Sequence, residues 1–356
     1  MKALITAGGR GTRLYPLTFS RNKHTIPLAN RSMLERAIDK ISKAGITEIG
    51  ISVNEAEENV QKIIGNGDRY GVNITYIEQK GGPLGVAHVI KNAKEFIAGD
   101  EFLFYLADNI VFADLKEFVD KFYSEKLNCF LTLTEVDDPR QFGVAVMNGD
   151  KIVKIDEKPK NPKSKMAVIG VYIYDRSIME AVDKIEQSAR GEYEISDAHT
   201  YLIDNGYKIG YKKIEGWWRD AGRPDDLLDG NRILLEQEIK TDIAGQVGKV
   251  ARMRGNVTLG KNSKIVGKSF IRGPVIIGDN VKIIDAYIGP YTSIGDNVYI
   301  KDAEVEHTIV MSGTKISTGE RITDSIIGHN AEVTAKHKTL PKGHKLIIGD
   351  HGQVEL

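Results

Sequence analysis

Up to about residue 230 the apolar positions of the chain switch between two periods. Leu4 and Ile5 form a short apolar run that reads as a buried strand. Met33, Leu34, Ala37, Ile38 and Ile41 recur at helical spacing, and Ala44-Gly45 supplies a stop. Strand-like runs follow at 48–53, 73–77 and 101–106, with helical stretches between them that include 86–96. A last amphipathic helix over 226–239, with Leu227, Leu228, Ile233 and Leu234, closes the region. This alternation predicts an α/β domain with a Rossmann-like, mixed but mostly parallel sheet. Helices cover such a sheet, and ligands bind at the carboxyl ends of its strands.

After residue 244 the helical period vanishes and a glycine-asparagine beat replaces it. It reads Leu259-Gly260-Lys261-Asn262, Ile277-Gly278-Asp279-Asn280, Ile294-Gly295-Asp296-Asn297 and Ile327-Gly328-His329-Asn330. Gly260, Gly278, Gly295 and Gly313 follow one another at intervals of about 17 or 18 residues, with valine or isoleucine roughly every six, as at Val275, Val281, Ile288, Ile294, Val298 and Ile300. A repeat this short predicts a solenoid in which each coil buries its apolar residues against the next. The pattern resembles the hexapeptide repeat of left-handed parallel β-helices; a β-sandwich with regular turns would not demand the recurring asparagine. The expected organisation is an α/β domain over 1–240 and a β-helix over 241–356.

The chain has 356 residues, and 49 lysines and arginines balance 49 aspartates and glutamates. No net charge draws it to nucleic acid or to a membrane surface, so local basic residues call for local ligands. No apolar stretch approaches membrane-spanning length, and Met1-Lys2-Ala3 leads straight into the first strand. The expectation is a soluble cytoplasmic protein. The single cysteine, Cys129, adjoins the apolar run Phe130-Leu131-Thr132-Leu133 and reads as a buried structural thiol.

The candidate chemistry begins in the opening segment, MKALITAGGRGTRLYPLT. Gly8, Gly9 and Gly11 let the backbone turn and bring its N–H groups close to a ligand, and Arg13 and Lys23 follow. Backbone donors beside two cations suit a polyphosphate. The loop has no Lys-Ser/Thr pair after its glycines, as a Walker A loop needs. It also lacks the GxGxxG helix entry of a dinucleotide site. It resembles instead the signature of the glucose-1-phosphate thymidylyltransferase family of sugar nucleotidyltransferases, roughly GGxGTRLxPLT followed by a lysine and a proline. Gly8, Gly9, Gly11, Thr12, Arg13, Leu14, Pro16, Leu17, Thr18, Lys23 and Pro27 carry that resemblance.

Further segments match the family in order. Leu106-Ala107-Asp108-Asn109 ends an apolar strand and carries alanine where the family usually has glycine. A carboxylate at a strand end suits Mg2+, which takes one or two protein carboxylates beside substrate phosphates; taken alone, such an aspartate is more often a turn or helix cap. The resemblance implies that Asp220, in Trp217-Trp218-Arg219-Asp220-Ala221-Gly222, shares that metal with Asp108. In Asp156-Glu157-Lys158-Pro159, Pro159 predicts an extended Lys158. By the resemblance Lys158 binds the sugar phosphate and Glu157 the sugar hydroxyls. Val168 and Tyr172, from the segment that follows, are assigned to the same subsite, and Gly143 leaves room for the sugar. Arg190, in Arg190-Gly191-Glu192-Tyr193-Glu194-Ile195-Ser196-Asp197, is expected to support the anionic ligands, with Glu194 and Asp197 orienting the next helix. Gln79, with the backbone at Gly85, is placed to read the edge of thymine or uracil through its amide.

The resemblance implies a Mg2+-dependent nucleotidyltransferase that joins dTTP and glucose 1-phosphate and releases pyrophosphate. Three alternatives stay open. UTP, or mannose or N-acetylglucosamine phosphate, would serve the same chemistry. The tail would carry acyltransferase activity, with His307 or His329 as its base. The chain would be a non-catalytic regulatory homologue. A homo-oligomer assembled through the solenoid is expected, with no nucleic-acid or membrane partner.

Overall fold

The computed structural model describes residues 1–9, 11–214, 219–220 and 222–335, with only the backbone of Arg219 and Asp220. It contains two compact units. One comprises Met1–Arg10 and Met33–Asp220, the other Gly11–Ser32 and Ala221–Leu356.

The first unit is built on a nine-stranded sheet. Lys2–Thr6 lies between Glu48–Val53 and Phe102–Leu106, and Asn73–Glu78 flanks Glu48–Val53, all parallel. In chain order this half of the sheet reads third, second, first, fourth. The order reverses beside the first strand, and the loops leaving the first and fourth strands diverge there to open a crevice at their carboxyl ends. Beyond Phe102–Leu106 the sheet turns antiparallel through the long strand Met166–Tyr174, which pairs also with Cys129–Glu135 and Gly143–Asn148. Lys151–Glu157 forms the edge beyond Gly143–Asn148, and Ile209–Lys213 lies parallel to Cys129–Glu135.

Side chains alternate across the strands and make two cores. Ala3, Ile5, Leu103 and Tyr105 point to one face, packed with helices Met33–Lys43 and Leu115–Ser124. Leu4, Phe102 and Phe104 point to the other, where helices Val86–Asn92, Ser177–Lys184 and Ile195–Asp204 lie. The helix expected over 86–96 is divided: it ends at Asn92, and Lys94–Ile97 forms a separate turn after Ala93. Cys129 is fully buried, and burial pushes its thiol well above the ordinary value, as a structural thiol requires.

In the second unit, helix Pro224–Glu238 leads into three parallel sheets of six, six and five strands among the described residues. Each sheet carries an inward apolar column. Leu259, Ile277, Ile294, Val310 and Ile327 form the first; Ile265, Ile283, Ile300, Ile316 and Val333 the second; Met253, Ile271, Ile288, Val305 and Ile322 the third. Three flat sheets per coil with stacked apolar columns are the architecture of the expected left-handed β-helix. The recurring asparagines have a conformational cause. Asn262, Asn280, Asn297 and Asn330 occupy corners at φ 56 to 59, the left-handed region that asparagine tolerates best among residues with a side chain. Neighbouring corners are tied coil to coil. Asp279 Oδ1 accepts from the Lys261 N–H at 2.6 Å, and Asp296 Oδ1 from the Asp279 N–H at 2.7 Å.

Candidate active site

The loop leaving the first strand is clamped from the side. Asn54, just past the end of Glu48–Val53, accepts from the Gly9 N–H through Oδ1 at 2.9 Å and donates from Nδ2 to the Gly9 carbonyl at 3.1 Å. A β-carbon on Gly8 would stand 2.8 Å from Gln79 Oε1 and 3.3 Å from Asn54 Oδ1. Gly8 therefore lets the Gln79 side chain, 5% exposed, lie against the loop backbone. Gly85 sits at φ 100, and a β-carbon there would meet the Tyr193 carbonyl oxygen at 2.6 Å. The Tyr193 N–H donates to the Leu84 carbonyl at 2.8 Å, and the Ala87 N–H donates to the Tyr193 carbonyl at 3.2 Å. The segment that carries Gly85 is thus stitched to the one that carries Arg190.

The segments that carry Asp108 and Asp220, 112 residues apart in the chain, are joined through the backbone. Arg219–Asp220 pairs antiparallel with Asn109–Ile110, with Asp220 opposite Asn109, the neighbour of Asp108. Asn109 is buried and holds its surroundings in three ways. Its Nδ2 donates to Asp108 Oδ1 at 3.0 Å, its Oδ1 accepts from the Gly170 N–H at 3.1 Å, and its carbonyl accepts from the Tyr105 hydroxyl at 3.0 Å. Ala107 is fully buried within the core, so its methyl is directed away from the crevice. The side chain of Asp220 lies outside the described residues, as do Trp217 and Trp218.

Glu157, at the end of Lys151–Glu157, is the best-held acid of the site. Ser196 Oγ donates to its Oε2 at 2.6 Å, Arg190 Nη2 donates to its Oε1 at 3.2 Å, and Lys158 Nζ stands 3.7 Å from Oε1. A β-carbon on Gly143 would come within 2.7 Å of Ser196 Oγ and 3.4 Å of Glu157 Oε2. Gly143 accordingly makes room for the Ser196–Glu157 bond. Lys158 departs from the expected extended conformation: its φ is 42. The reason is a cross-strand bond at the strand end, where the Lys158 N–H donates to the Phe142 carbonyl at 3.0 Å and outweighs the restriction from Pro159.

Arg190 is occupied by carboxylates. It pairs with Glu194 at 2.7 Å, Glu157 at 3.2 Å and Glu192 at 3.8 Å. Burial pulls its guanidinium down, but these carboxylates outweigh that and hold it above its ordinary value. It braces Glu157. Val168 and Tyr172 are 8% and 3% exposed. The Tyr172 ring stacks on Phe104 at 6.0 Å between centroids and meets His199 edge-on at 5.1 Å.

In the second unit Gly11, at φ 60, precedes the single helical turn Thr12–Leu14. Thr18 Oγ1 donates to the Gly11 carbonyl at 2.8 Å, and a β-carbon on Gly11 would lie 3.5 Å from Lys23 Cβ. The loop thus folds Lys23 back against its own start. The Arg13 guanidinium lies over Gly222, where a β-carbon would approach it to 3.1 Å.

Residues 2–237 match the family model described as nucleotidyl transferase. The chain belongs to the nucleotidyl transferase family. Residues 271–354 match the model described as the GMPPB C-terminal domain. A glucose-1-phosphate thymidylyltransferase of Streptomyces antibioticus is 40% identical over 100% of this chain and 99% of its own. The low-salt glycan biosynthesis nucleotidyltransferase Agl11 of Haloferax volcanii is 38% identical over the full length of both. A Bacillus anthracis structure described as a glucose-1-phosphate thymidylyltransferase in complex with a sucrose superposes with a TM-score of 0.62 at 36% identity, covering 68% of this chain and 97% of that one.

Two residues of this nucleotidyl transferase escaped the sequence reading as site residues. Asn54 had a usable signal, a polar residue directly after an apolar strand at its carboxyl end. Ser196 had none, because a serine on a helix's first turn reads as local capping. The solenoid histidines are placed in corners. His307 Nδ1 bonds Asp324 at 2.6 Å, one coil on, and its Nε2 is buried without a hydrogen-bond partner. His329 is half-buried, and burial together with the Arg21 charge lowers its pKa. His337 lies outside the described residues. Among the described residues no helix is long and apolar enough to cross a membrane.

Proposed function

We propose that this protein is a glucose-1-phosphate thymidylyltransferase that forms dTDP-glucose and pyrophosphate in the cytoplasm. The observation that carries the reading is the return of Asp220 to the backbone of Asn109, at the mouth of the crevice where the sheet order reverses. Full-length relatives at 37–40% identity bear the same name.

The sugar phosphate oxygen attacks the α-phosphorus of the nucleotide in line, the bond to the β-phosphate oxygen breaks, and pyrophosphate leaves. Both substrates are polyanions, and two unit charges about 4 Å apart repel by about 4 kcal/mol at an effective dielectric near 20. Arg13 and Lys23, by resemblance, hold the β- and γ-phosphates, with the N–H groups of Gly8, Gly11 and Thr12 as further donors and Gly9 held in place by Asn54. Gln79 and the Gly85 backbone read the base. Glu157 accepts from the sugar hydroxyls and Lys158 aligns the attacking phosphate, which is already ionised and needs no general base. Positioning and electrostatics carry the rate.

Nucleotidyltransferases of this family are generally divalent-metal dependent. Asp108 and Asp220 offer hard carboxylate oxygens on adjacent backbone, a donor set that fits Mg2+. When bound, the ion would neutralise charge on the α-phosphate. A homo-oligomer built through the β-helix completes the proposal, and sedimentation reads it directly.

The test is pyrophosphate release with Mg2+, crossing dTTP, UTP, GTP, ATP and CTP against the 1-phosphates of glucose, mannose, galactose and N-acetylglucosamine. Turnover concentrated on dTTP and glucose 1-phosphate is expected, and silence across the grid would sink the proposal. Lys23→Ala and Asp108→Asn should each lower kcat by about 10²- to 10³-fold with the thermal midpoint kept, the range for removing one group that stabilises transition-state charge. Near-normal turnover in either variant contradicts the assigned roles.

A further inference from the structure

Helix Pro224–Glu238 buries Leu227, Leu228, Leu234 and Leu235 on one face, and Asn231 lies on that same face with no exposure. A buried amide at a core position costs stability unless its donors and acceptor are satisfied. Asn231 is satisfied from two directions. Its Oδ1 accepts from the Ala29 N–H at 2.8 Å, and its Nδ2 donates to the Tyr291 carbonyl, at a corner of the β-helix, at 3.0 Å.

Ala29 belongs to a small hairpin. Pro27–Leu28 pairs antiparallel with Arg31–Ser32, and the two tip residues Ala29 and Asn30 sit at φ 45 and 60, as a tight two-residue turn requires. Asn30 Nδ2 donates to the Ile294 carbonyl, on the same coil as Tyr291, at 2.7 Å. Arg21 Nη1 reaches Met311 Sδ at 3.9 Å, on the following coil. The hairpin continues directly from the turn Lys23–Thr25, where the Ile26 N–H donates to the Lys23 carbonyl at 3.1 Å and Asn22 caps the turn through the His24 N–H at 2.9 Å. Ile26 and Leu28 are fully buried. The segment that carries Arg13 and Lys23 is therefore seated on two successive coils, and Asn231 bonds both the hairpin and the solenoid.

We propose that Asn231 is a positioning residue for nucleotide binding: it fixes the Lys23 segment on the β-helix, so that the solenoid acts as the scaffold of the triphosphate subsite and not only as an assembly module. This rests on the assignment of Arg13 and Lys23 to the β- and γ-phosphates. A residue with a merely structural role would change stability alone. A positioning residue for this segment changes the kinetics of one substrate and spares the other.

The experiment uses the full chain with Asn231→Leu and Asn30→Gly, measuring KM for dTTP and for glucose 1-phosphate separately. Asn231→Leu removes the bonds to the Ala29 N–H and the Tyr291 carbonyl, and the KM for dTTP is expected to rise about tenfold or more. The KM for glucose 1-phosphate should stay within about twofold of wild type. Asn30→Gly keeps the turn, because glycine adopts the same φ, and deletes only the bond to Ile294; a rise of about threefold or more in the dTTP KM is expected. If Asn231→Leu fails to fold, Asn30→Gly decides. Unchanged dTTP KM in folded variants of an active wild type, or equal rises for both substrates, overturns the proposal. A wild type silent with every triphosphate overturns the thymidylyltransferase assignment itself, and this inference with it.

Discussion

Gly143 tests whether the glycine serves the sugar directly or serves the hydrogen bond behind it. In Gly143→Ala the new β-carbon lands 2.7 Å from Ser196 Oγ, closer than carbon and oxygen tolerate, so the serine must move and its 2.6 Å bond to Glu157 breaks. A bond from a hydroxyl to a carboxylate contributes about 1.5–3 kcal/mol. That converts to a loss of about 10- to 150-fold in kcat/KM for glucose 1-phosphate. Ser196→Ala removes the same bond without adding bulk and should cost about as much. The double variant is the decisive one. With Ser196 Oγ gone, the nearest remaining neighbours of an alanine at 143 are Glu157 Oε2 at 3.4 Å and Ile155 Cγ2 at 3.5 Å, ordinary contact distances. Gly143→Ala should then be nearly silent in the Ser196→Ala background, a coupling as large as the single losses. The assay is pyrophosphate release with glucose 1-phosphate varied at saturating dTTP, on all four proteins. Equal cost of Gly143→Ala in both backgrounds would refute the reasoning and return Gly143 to direct contact with the sugar.

Gly85→Ala places a side chain at φ 100 and drives a β-carbon to 2.6 Å from the Tyr193 carbonyl, so it should destabilise the fold by about 2–4 kcal/mol. An unchanged thermal midpoint would contradict the packing described. His199 is fully buried, its Nε2 2.6 Å from the Tyr174 hydroxyl, and burial lowers its pKa from 6.5 to about 3. Because the folded value is depressed, the unfolded chain takes up this proton first as pH falls. The stability contributed is present above pH 6.5 and is lost between 6.5 and about 3. The slope is about 1.4 kcal/mol per pH unit, hence about 2 kcal/mol between pH 6.5 and 5. Denaturant midpoints of wild type and His199→Gln across that range check it: the variant should lose one proton's worth of slope, and parallel curves would reject the assignment.

What was legible followed from how local each signal is. The solenoid could be read because its period repeats the same physical demand at every coil: an inward apolar column at Leu259, Ile277 and Ile294, and a left-handed corner at Asn262, Asn280 and Asn297. Residues whose role is set by their own backbone neighbourhood, such as Gly8, Gly11 and Asp108, could be named from the motif. Residues whose role depends on a partner far along the chain could not. Ser196 reaches Glu157 across 39 positions and Asn54 reaches Gly9 across 45, and neither distance leaves a trace in periodicity. Asn231 left a trace that went unread, an amide on the apolar stripe of a helix. Lys158 was misjudged because a proline rule about its own torsions met a cross-strand bond from the Lys158 N–H to the Phe142 carbonyl.

The charges around Glu157 decide which part of a sugar phosphate that pocket suits. Glu157, Glu192 and Glu194 face Arg190 and Lys158, three acids against two bases, and Asp197 beside them is met by Lys154. Burial, then the nearby Glu194 and Glu157, raise the Asp197 carboxyl above its ordinary value, which is how a locally acidic field registers on its own members. An anion placed beside Arg190 would meet this excess of negative charge, whereas hydroxyl groups would find strong acceptors there. On the proposed function, the sugar ring would lie against Glu157 with its phosphate turned toward Lys158. Lys158 is 41% exposed and stands 3.7 Å from its one described carboxylate, so most of its charge is available to a ligand. Exchanging the two cations' roles would require the ring, which carries no charge to be compensated, to occupy the cationic side. Arg190→Lys separates the two arrangements: a bidentate brace on Glu157 and Glu194 is lost while the positive charge is kept. Weaker discrimination between glucose and galactose 1-phosphates, with inorganic phosphate inhibiting as it does the wild type, is the outcome this charge distribution requires. Phosphate inhibition that weakens with unchanged sugar discrimination would place the anion at Arg190 after all.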